Sequence, residues 1–158
     1  MVQEHGEGAQ TLTVDAGTTG NVDFDAAVGG TPLTGLTVDG KDVDFDSTLA
    51  VAGNADLDAA GTVDFGNTVT TTGTGLVTIT NTGVLTIVGA ADFTLSGAFL
   101  QDGVGGVSTA GDITTSDDGV TFTGAVTLTG NVLIDTDDAA AGDAGAVWFK
   151  STVRGRRH

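Results

Sequence analysis

Apolar and polar residues alternate along short stretches of this chain, as in Val22-Asp23-Phe24-Asp25. A period of two places successive side chains on opposite faces of a strand, so the alternation predicts strands with one buried face and one solvated face. Five of these stretches share one frame, which reads Val, any residue, Phe, three further residues, then Val or Leu. The copies are Gly20–Val28, Lys41–Leu49, Gly61–Val69, Asp118–Val126 and Gly145–Val153. Because Gly and Asp are poor helix formers and Val, Thr and Phe favour strands, helices are not expected here.

The copies recur at a nearly constant interval at the start of the chain. Their first valines are Val22, Val43, Val63, Val120 and Val147. The first two intervals are 21 and 20 residues, and the following gap of 57 residues has room for about two degraded copies. A repeat of about twenty residues is typical of a solenoid, in which each repeat packs on its neighbours.

A second type of strand lies between the copies of this frame. Gln10–Asp15 is the first of these predicted strands. The apolar pairs that mark this type are Leu12/Val14, Leu36/Val38 and Ala55/Leu57, at intervals of 24 and 19 residues. Gly, Asn and Asp separate the two types, and these residues tolerate the positive φ that tight corners need. One repeat is therefore predicted to hold two strands or more.

The middle of the chain keeps the alternation but loses the strict frame. Val77–Ile79, Leu85–Ile87 and Phe93–Leu95 still alternate, whereas the small, Gly-rich stretch Gln101–Gly111 is predicted to be a loop or a weak coil. Asp135–Gly145 is the longest polar insertion. The predicted organisation is a flexible N-terminal tail over residues 1–9, a solenoid over residues 10–153, and a basic tail over residues 154–158.

These patterns predict an all-β fold, a parallel β-helix (β-solenoid) with coils of about twenty residues. Roughly seven coils at the spacing of paired strands would make a rod about 35 Å long. Phe24, Phe45 and Phe65 would stack inside it as an aromatic ladder, with Phe122 and Phe149 in equivalent places further along. The alternative is an antiparallel β-sandwich, because many short strands joined by turns also fit that fold.

Composition and charge narrow the possible partners. The chain has 158 residues, no cysteine, 39% hydrophobic residues and a net charge of −16, which comes mostly from aspartate. A body this acidic repels nucleic acid and anionic membranes, so neither is expected as a partner. No apolar run is long enough for a membrane-spanning helix, and the start of the chain does not read as a signal peptide.

Two stretches resemble a known group of proteins. TGNVDFDAAVGGTPLTGLTV and DGVTFTGAVTLTGNVLIDTDD are similar to the Gly-, Thr-, Val- and Asp-rich repeats of large bacterial surface proteins, the filamentous-haemagglutinin-like and autotransporter-type adhesins. The resemblance extends loosely over Gln10–Val153. It implies a β-helical stalk at the cell surface or outside the cell, as part of a longer exported protein. It also implies host or cell-surface glycans or proteins as partners.

Aspartates occupy the outward positions of the first copies, and stacked coils would align them. They are Asp23 and Asp25, Asp44 and Asp46, then Asp64. Calcium binds six to eight oxygen ligands, commonly carboxylates, and would bridge adjacent coils. The alternative is a solvated acidic face that keeps a β-rich surface soluble. Asp135, Asp137, Asp138 and Asp143 form a second acidic group, which lacks the Gly and distal Glu of an EF-hand loop. No residue is therefore assigned as a metal ligand.

No catalytic residue is expected. With so many aspartates, close carboxylate pairs arise by chance, and the few cations lie mostly at the C-terminal end. His5 and His158 lie in the two predicted tails, where a solvated histidine is the default. Trp148 takes the outward place that Asp occupies in the early copies, where it would stack on a sugar or cover the last coil.

Three functions fit these features. The favoured one is a non-enzymatic structural or adhesive segment, a stiff stalk or binding scaffold without a cofactor. The alternatives are a calcium-stabilised carbohydrate-binding segment and an ice-binding solenoid. Local Thr-x-Thr pairs suggest the last, namely Thr11/Thr13, Thr78/Thr80, Thr121/Thr123 and Thr127/Thr129. An exposed last coil is also an unpaired strand edge, so end-to-end self-association is expected.

Overall fold

A computed structural model describes residues 10–137 and 143–156. Within them the chain forms eighteen strands and one turn of 3₁₀ helix, Gly17–Thr19. The strands are β1 Thr11–Asp15, β2 Val22–Phe24, β3 Val28–Gly40, β4 Val43–Phe45, β5 Leu49–Ala59, β6 Val63–Phe65, β7 Val69–Thr71, β8 Val77–Asn81, β9 Leu85–Ile87, β10 Phe93–Leu95, β11 Phe99–Gln101, β12 Val107–Thr109, β13 Ile113–Thr115, β14 Val120–Phe122, β15 Val126–Leu128, β16 Ile134–Asp135, β17 Val147–Phe149 and β18 Val153–Gly155.

The strands stack into three faces of a solenoid. Face 1 contains β1, the C-terminal part of β3 and of β5, then β8, β11, β14 and β17. Face 2 contains β2, β4, β6, β9, β12, β15 and β18. Face 3 contains the N-terminal part of β3 and of β5, then β7, β10, β13 and β16. Strands β3 and β5 are continuous from face 3 to face 1, so the first coils turn that corner without a break in the strand.

Every strand pair in the described residues is parallel, which confirms the β-solenoid and excludes the β-sandwich. The solenoid has about six turns of about 21 residues. Roughly seven coils were predicted. Faces 1 and 2 each have seven strands and face 3 has six, so the solenoid has six complete turns and part of a seventh. Strand β18 ends at Gly155, two residues into the predicted basic tail. The predicted N-terminal tail, residues 1–9, lies outside the described residues.

The repeat frame does not mark a single face, which corrects the sequence prediction. Its first three copies pair on face 2, where Val22, Val43 and Val63 are in register. The next residue in that column is Leu85, not Val120. Val120 and Val147 pair with each other on face 1. The frame describes a short strand whose first and third residues point inward. Strands of this kind occur on all three faces, so the frame alone does not identify the face.

The Gly-rich stretch Gln101–Gly111 is a regular part of the solenoid rather than a loop or a weak coil. It contributes the end of β11 and all of β12, and both strands are paired on two sides. Glycine is needed here because adjacent coils pass close to each other. A Cβ added at Gly105 would clash with the carbonyl oxygen of Gly83. The low side-chain bulk that suggested a loop therefore reflects close packing of the backbone.

The phenylalanine side chains form one continuous column through the core. Phe24, Phe45 and Phe65 stack on face 2 with ring centroids 4.7 and 5.1 Å apart, as predicted. The column then crosses the interior through Phe93 on face 3 and Phe99 on face 1, with edge-on contacts at 5.0 and 5.7 Å. It continues along face 1 through Phe122 and Phe149, which are 5.4 Å apart and nearly parallel. The last two rings therefore belong to the predicted column but lie on another face.

Candidate functional site

The aspartates of the first coils form a ladder on the outside of face 2. Asp23, Asp44 and Asp64 are directly in register on adjacent strands. Beyond them the same column continues with Thr86, Ser108 and Thr127, and it ends with Arg154. Face 2 therefore changes along the axis from acidic, through neutral and hydroxylated, to basic.

At the N-terminal end of this ladder, three carboxylates converge. Asp23, Asp25 and Asp46 each present an oxygen such that the three atoms lie within 4.8 Å of one another. The negative charge of Asp25 raises the pKa of Asp23, with smaller contributions from desolvation and from Asp46. Such a group binds a proton or a shared cation more readily than a lone carboxylate does. All three side chains are exposed, so water and dissolved salt screen the repulsion among them.

The same repulsion extends to neighbouring coils. Partial burial raises the pKa of Asp44, and the charges of Asp46 and Asp64 raise it further. On face 1, burial and then the charge of Asp58 raise the pKa of Asp56. Neighbouring carboxylates thus disfavour one another's charged form, within one coil and between coils on face 2, and within β5 on face 1.

The second predicted acidic group does not converge in the described residues. Asp135 accepts a hydrogen bond from the backbone N–H of Asp137 at 3.1 Å, which is a local turn. The hydroxyl of Thr136 donates to the carbonyl of Gly145 at 2.7 Å and closes the insertion. Among Asp135, Asp137 and Asp143, no grouping like that of Asp23 forms in the part of the chain that the structure describes. Asp138 lies outside that part.

A third set of acidic and amide side chains binds the backbone of the following coil. Asp42 accepts hydrogen bonds from the backbone N–H of Thr62, at 3.0 Å, and from Lys41, at 2.6 Å. The bond from Lys41, followed by the bond from Thr62, lowers the pKa of Asp42. Asn54, Asp92 and Asp112 act similarly, accepting backbone N–H groups of Leu76, Asp112 and Leu133. Sequence reasoning missed this role, although three of these residues directly precede a strand or its first apolar residue.

The predicted threonine pairs do not form one array. Thr11/Thr13, Thr78/Thr80 and Thr121/Thr123 lie on face 1, and Thr127/Thr129 lies on face 2. On face 1 the column through Thr78 and Thr121 is interrupted by Asp56 and Leu100. An aligned row that was not predicted runs along face 3, where Thr70, Thr94 and Thr114 are in register. It is a single column, and Ala50 and Asp135 flank it.

Trp148 is on the outside of face 1, in register with Thr121. It is therefore outward, as predicted, but on a different face from Asp23, Asp44 and Asp64. Trp148 is 60% exposed, and it leaves the inward residues Val147 and Phe149 39% and 40% exposed. The interpretation that Trp148 covers the last coil was therefore wrong, because its side chain points away from the axis.

Two open grooves lie at the ends of the solenoid. The first is lined by residues of β1, β3 and β5 that include Thr13, Thr37 and Asp56. The second is lined by residues that include Leu128, Asn131 and Arg156. Each groove has one ionisable side chain among its lining residues, so neither brings an acid and a base together. His5 and His158 lie outside the described residues.

In the described residues no helix has the length and apolar character needed to cross a membrane. Comparison of the chain with protein-family models, with curated proteins and with solved structures found no match.

Proposed function

We propose that this chain is a non-enzymatic structural segment of a bacterial surface or secreted protein, which holds binding regions apart as a stiff spacer. The observation that carries the proposal is the unbroken register of the solenoid. Faces 1 and 2 each run through seven strands, and pairing continues from the first coil to the last. A segment built this way has a fixed length that scales with its number of coils.

Stiffness follows from how adjacent coils are joined. Each inner coil hydrogen-bonds to the next along three faces, so bending requires strained or broken ladders on one side. The ring-to-ring distances of the phenylalanine column, 4.7–5.7 Å, are close to the strand spacing, so the core is packed continuously along the axis. Bending would open gaps in this column, and such gaps cost free energy.

The surface suits a role outside the cell. Its outward columns consist mainly of aspartate, threonine and serine, which keep a β-rich rod soluble and offer hydroxyl and carboxylate groups to partners. Host or cell-surface glycans or proteins are the partners we propose. The resemblance of residues 10–153 to repeats of filamentous-haemagglutinin-like and autotransporter-type adhesins points the same way.

The spacer role can be tested by measuring a distance along the axis. Thr13 and Thr121 lie in the same outward column of face 1, five strand steps apart. The chain has no cysteine, so Thr13→Cys with Thr121→Cys places two spin labels without side reactions. A stiff solenoid predicts a narrow distance distribution by pulsed electron paramagnetic resonance, for a Cα separation of about 24 Å.

A matched pair provides the scale for this measurement. Thr13→Cys with Leu100→Cys removes one strand step, so the centre of the distribution should shorten by about 5 Å. A flexible chain of this length would instead give a broad distribution centred at roughly 50–60 Å. A broad distribution, or no change between the two pairs, would contradict a fixed-length spacer.

The second candidate is the same segment stabilised by calcium. The convergence of Asp23, Asp25 and Asp46 favours it, because their oxygens lie close enough to share a cation. Calcium would then tie the first coil to the second and stabilise that end of the rod. A rise in melting temperature with calcium that magnesium at equal ionic strength does not reproduce would separate calcium binding from a solvated acidic surface.

A further inference from the structure

The C-terminal coil exposes residues that its neighbours bury. Val147, Phe149 and Val153 point inward but are 39%, 40% and 44% exposed. Their register partners one coil earlier are Val120, Phe122 and Val126, which are at most 2% exposed. Within residues 10–137 and 143–156, strands β17 and β18 pair on one side only, with β14 and β15, so their other edge presents backbone N–H and C=O groups.

The N-terminal coil is incomplete in the same way. Leu12, Val14 and Phe24 are only half-buried, whereas their register partners Leu36, Val38 and Phe45 are buried. Strands β1 and β2 pair with β3 and β4 respectively and have no partner on the outer side within the described residues. Both ends of the solenoid are therefore strand edges with uncovered apolar side chains.

On faces 1 and 2 the outward residues at the two ends carry opposite charge, whereas face 3 ends with Asp135. Three of the four cations in the described residues, Lys150, Arg154 and Arg156, are at the C-terminal end. The fourth, Lys41, pairs with Asp42. The first coil carries Asp15, Asp23 and Asp25.

We propose that this 158-residue chain binds a second copy head to tail, with the first coil of one copy stacked on the last coil of the other in the register of the internal coils. Strand β1 of the second copy would extend face 1 beyond β17, and its β2 would extend face 2 beyond β18. The association would lengthen the proposed spacer, but it does not depend on that role.

This register brings suitable residues together in the extended columns of faces 1 and 2. Inside, Leu12 and Val14 of the second copy would cover Val147 and Phe149, and its Val22 would cover Val153. The ring of its Phe24 would lie over Gly155, which has no heavy atom within 4 Å of the position where a Cβ would be and so leaves room for the ring. Outside, Arg154 ends the column that begins with Asp23. The column that begins with Asp15 runs through Asp39, Asp58 and Thr80, and Lys150 lies at the same outward position of the last coil, where its backbone N–H donates to the carbonyl of Phe122 and continues the ladder of β17. Continuing the columns therefore places Arg154 beside Asp23 and Lys150 beside Asp15.

Charge also selects the direction of association. Two C-terminal ends would bring Lys150 and Arg154 against the same cations, and two N-terminal ends would bring aspartates together. Only the head-to-tail arrangement pairs opposite charges. The net charge of −16 still repels whole molecules at low salt. Moderate salt should therefore promote association by screening that long-range repulsion, while the contact pairs are screened less.

Charge reversal tests the proposed register. Arg154→Asp and Asp23→Arg each place like charges at the contact, so each variant alone should associate at least about tenfold more weakly than the original chain. An equimolar mixture of the two variants should recover association, because every head-to-tail contact in an alternating stack then pairs opposite charges. Sedimentation velocity over a range of protein concentrations at about 0.15 M salt measures this.

Two controls keep the result interpretable. Asp58→Arg makes the same charge change as Asp23→Arg at an exposed position of face 1 within the rod, and it should associate like the original chain. The double variant with Asp23→Arg and Arg154→Asp should associate on its own. The proposal is overturned if the original chain stays monomeric, if either single variant associates normally, or if the mixture stays monomeric. None of these outcomes changes the intramolecular spin-label distances, so the spacer role is tested separately.

Discussion

The first three coils and the later coils share the three-faced frame but place their polar groups differently. On face 2 the early coils carry Asp23, Asp44 and Asp64 outside and Phe24, Phe45 and Phe65 inside. The later coils carry Thr86, Ser108 and Thr127 outside and Ile87, Thr109 and Leu128 inside. Buried polar side chains are concentrated in the later part, at Thr71, Asn81, Gln101, Thr109, Thr115 and Thr136.

The difference shows what in-register stacking does to each kind of side chain. Aromatic rings benefit, because the strand spacing is close to the distance at which rings stack. Carboxylates are penalised: after burial and the charge of Asp46, the charges of the register partners Asp64 and Asp23 also raise the pKa of Asp44. Buried amides are accommodated only if every donor and acceptor is paired. Both parts have an apolar core; the early coils carry it beneath a repulsive surface, whereas the later coils add hydrogen-bonded polar side chains such as Gln101 to it.

Phe45→Ala should have the largest effect on stability. Phe45 is 1% exposed and lies between the rings of Phe24 and Phe65, at 4.7 and 5.1 Å. Removing the ring leaves a cavity in the column, and we expect the free energy of unfolding to fall by about 3–5 kcal/mol. Chemical denaturation measures this change.

The matched control for this substitution is at the far end of the same column. Phe149→Ala removes the same atoms from a ring that is 40% exposed, so it should cost below about 1 kcal/mol. Equal losses at the two positions would contradict the view that burial in the column, rather than ring identity, sets the contribution.

Gln101→Leu should have the next largest effect, in the later coils. The Gln101 amide group donates to Asn81 Oδ1 at 2.8 Å and to the carbonyl of Gly103 at 2.9 Å. Its oxygen accepts from the backbone N–H of Gly124 at 2.9 Å. Leucine leaves these buried partners unpaired, so we expect a loss of about 2–4 kcal/mol despite the gain in hydrophobicity.

Hydrogen exchange can locate this loss. In Gln101→Leu, amides of β8, β11 and β14 should exchange faster, while those of β2 and β4 should keep their protection. Thr80→Leu is the control, because it adds the same side chain at an exposed position of β8 and should change stability by less than about 0.5 kcal/mol. If Gln101→Leu is as stable as the original chain, the amide network does not stabilise the later coils.

The sequence predicted the strands, their parallel stacking and the ring column, because alternation and repeat length are local properties. It did not predict which face each strand joins, since Val120 and Val43 satisfy the same frame on different faces. Gln101 was predicted to lie in a loop or a weak coil because Gln101–Gly111 is small and Gly-rich, and its hydrogen-bond partners Asn81 and Gly124 are too distant in sequence for a local pattern to show. The alignment of Asp23, Asp44 and Asp64 was predicted, whereas the bonds of Asp42, Asp92 and Asp112 to the next coil require knowledge of the corners.

The smallest predicted effect concerns pH. The folded chain raises the pKa of Asp23, Asp44 and Asp56 above the usual value of 3.8, so these groups bind protons more tightly in the folded state. Their unfavourable contribution at neutral pH should therefore be relieved as pH falls towards about 4. Asp42 acts in the opposite direction, because its lowered pKa gives stability that is lost below about pH 4. The melting temperature should rise by a few degrees from pH 7 to a maximum near pH 4 and then decline.

Asp23→Asn tests whether the acidic cluster causes this rise. The variant removes a repelling charge at constant shape, so its melting temperature at pH 7 should be slightly higher and its rise towards pH 4 smaller. Asp102→Asn, at an exposed aspartate that directly follows β11 of face 1, is the control and should keep the full rise.

At neutral pH we expect calcium and magnesium at equal ionic strength to raise the melting temperature equally, since both screen exposed carboxylates. A rise specific to calcium that disappears in Asp25→Asn would instead make Asp23, Asp25 and Asp46 a calcium site, and the early coils would then be stabilised by the charges that otherwise weaken them.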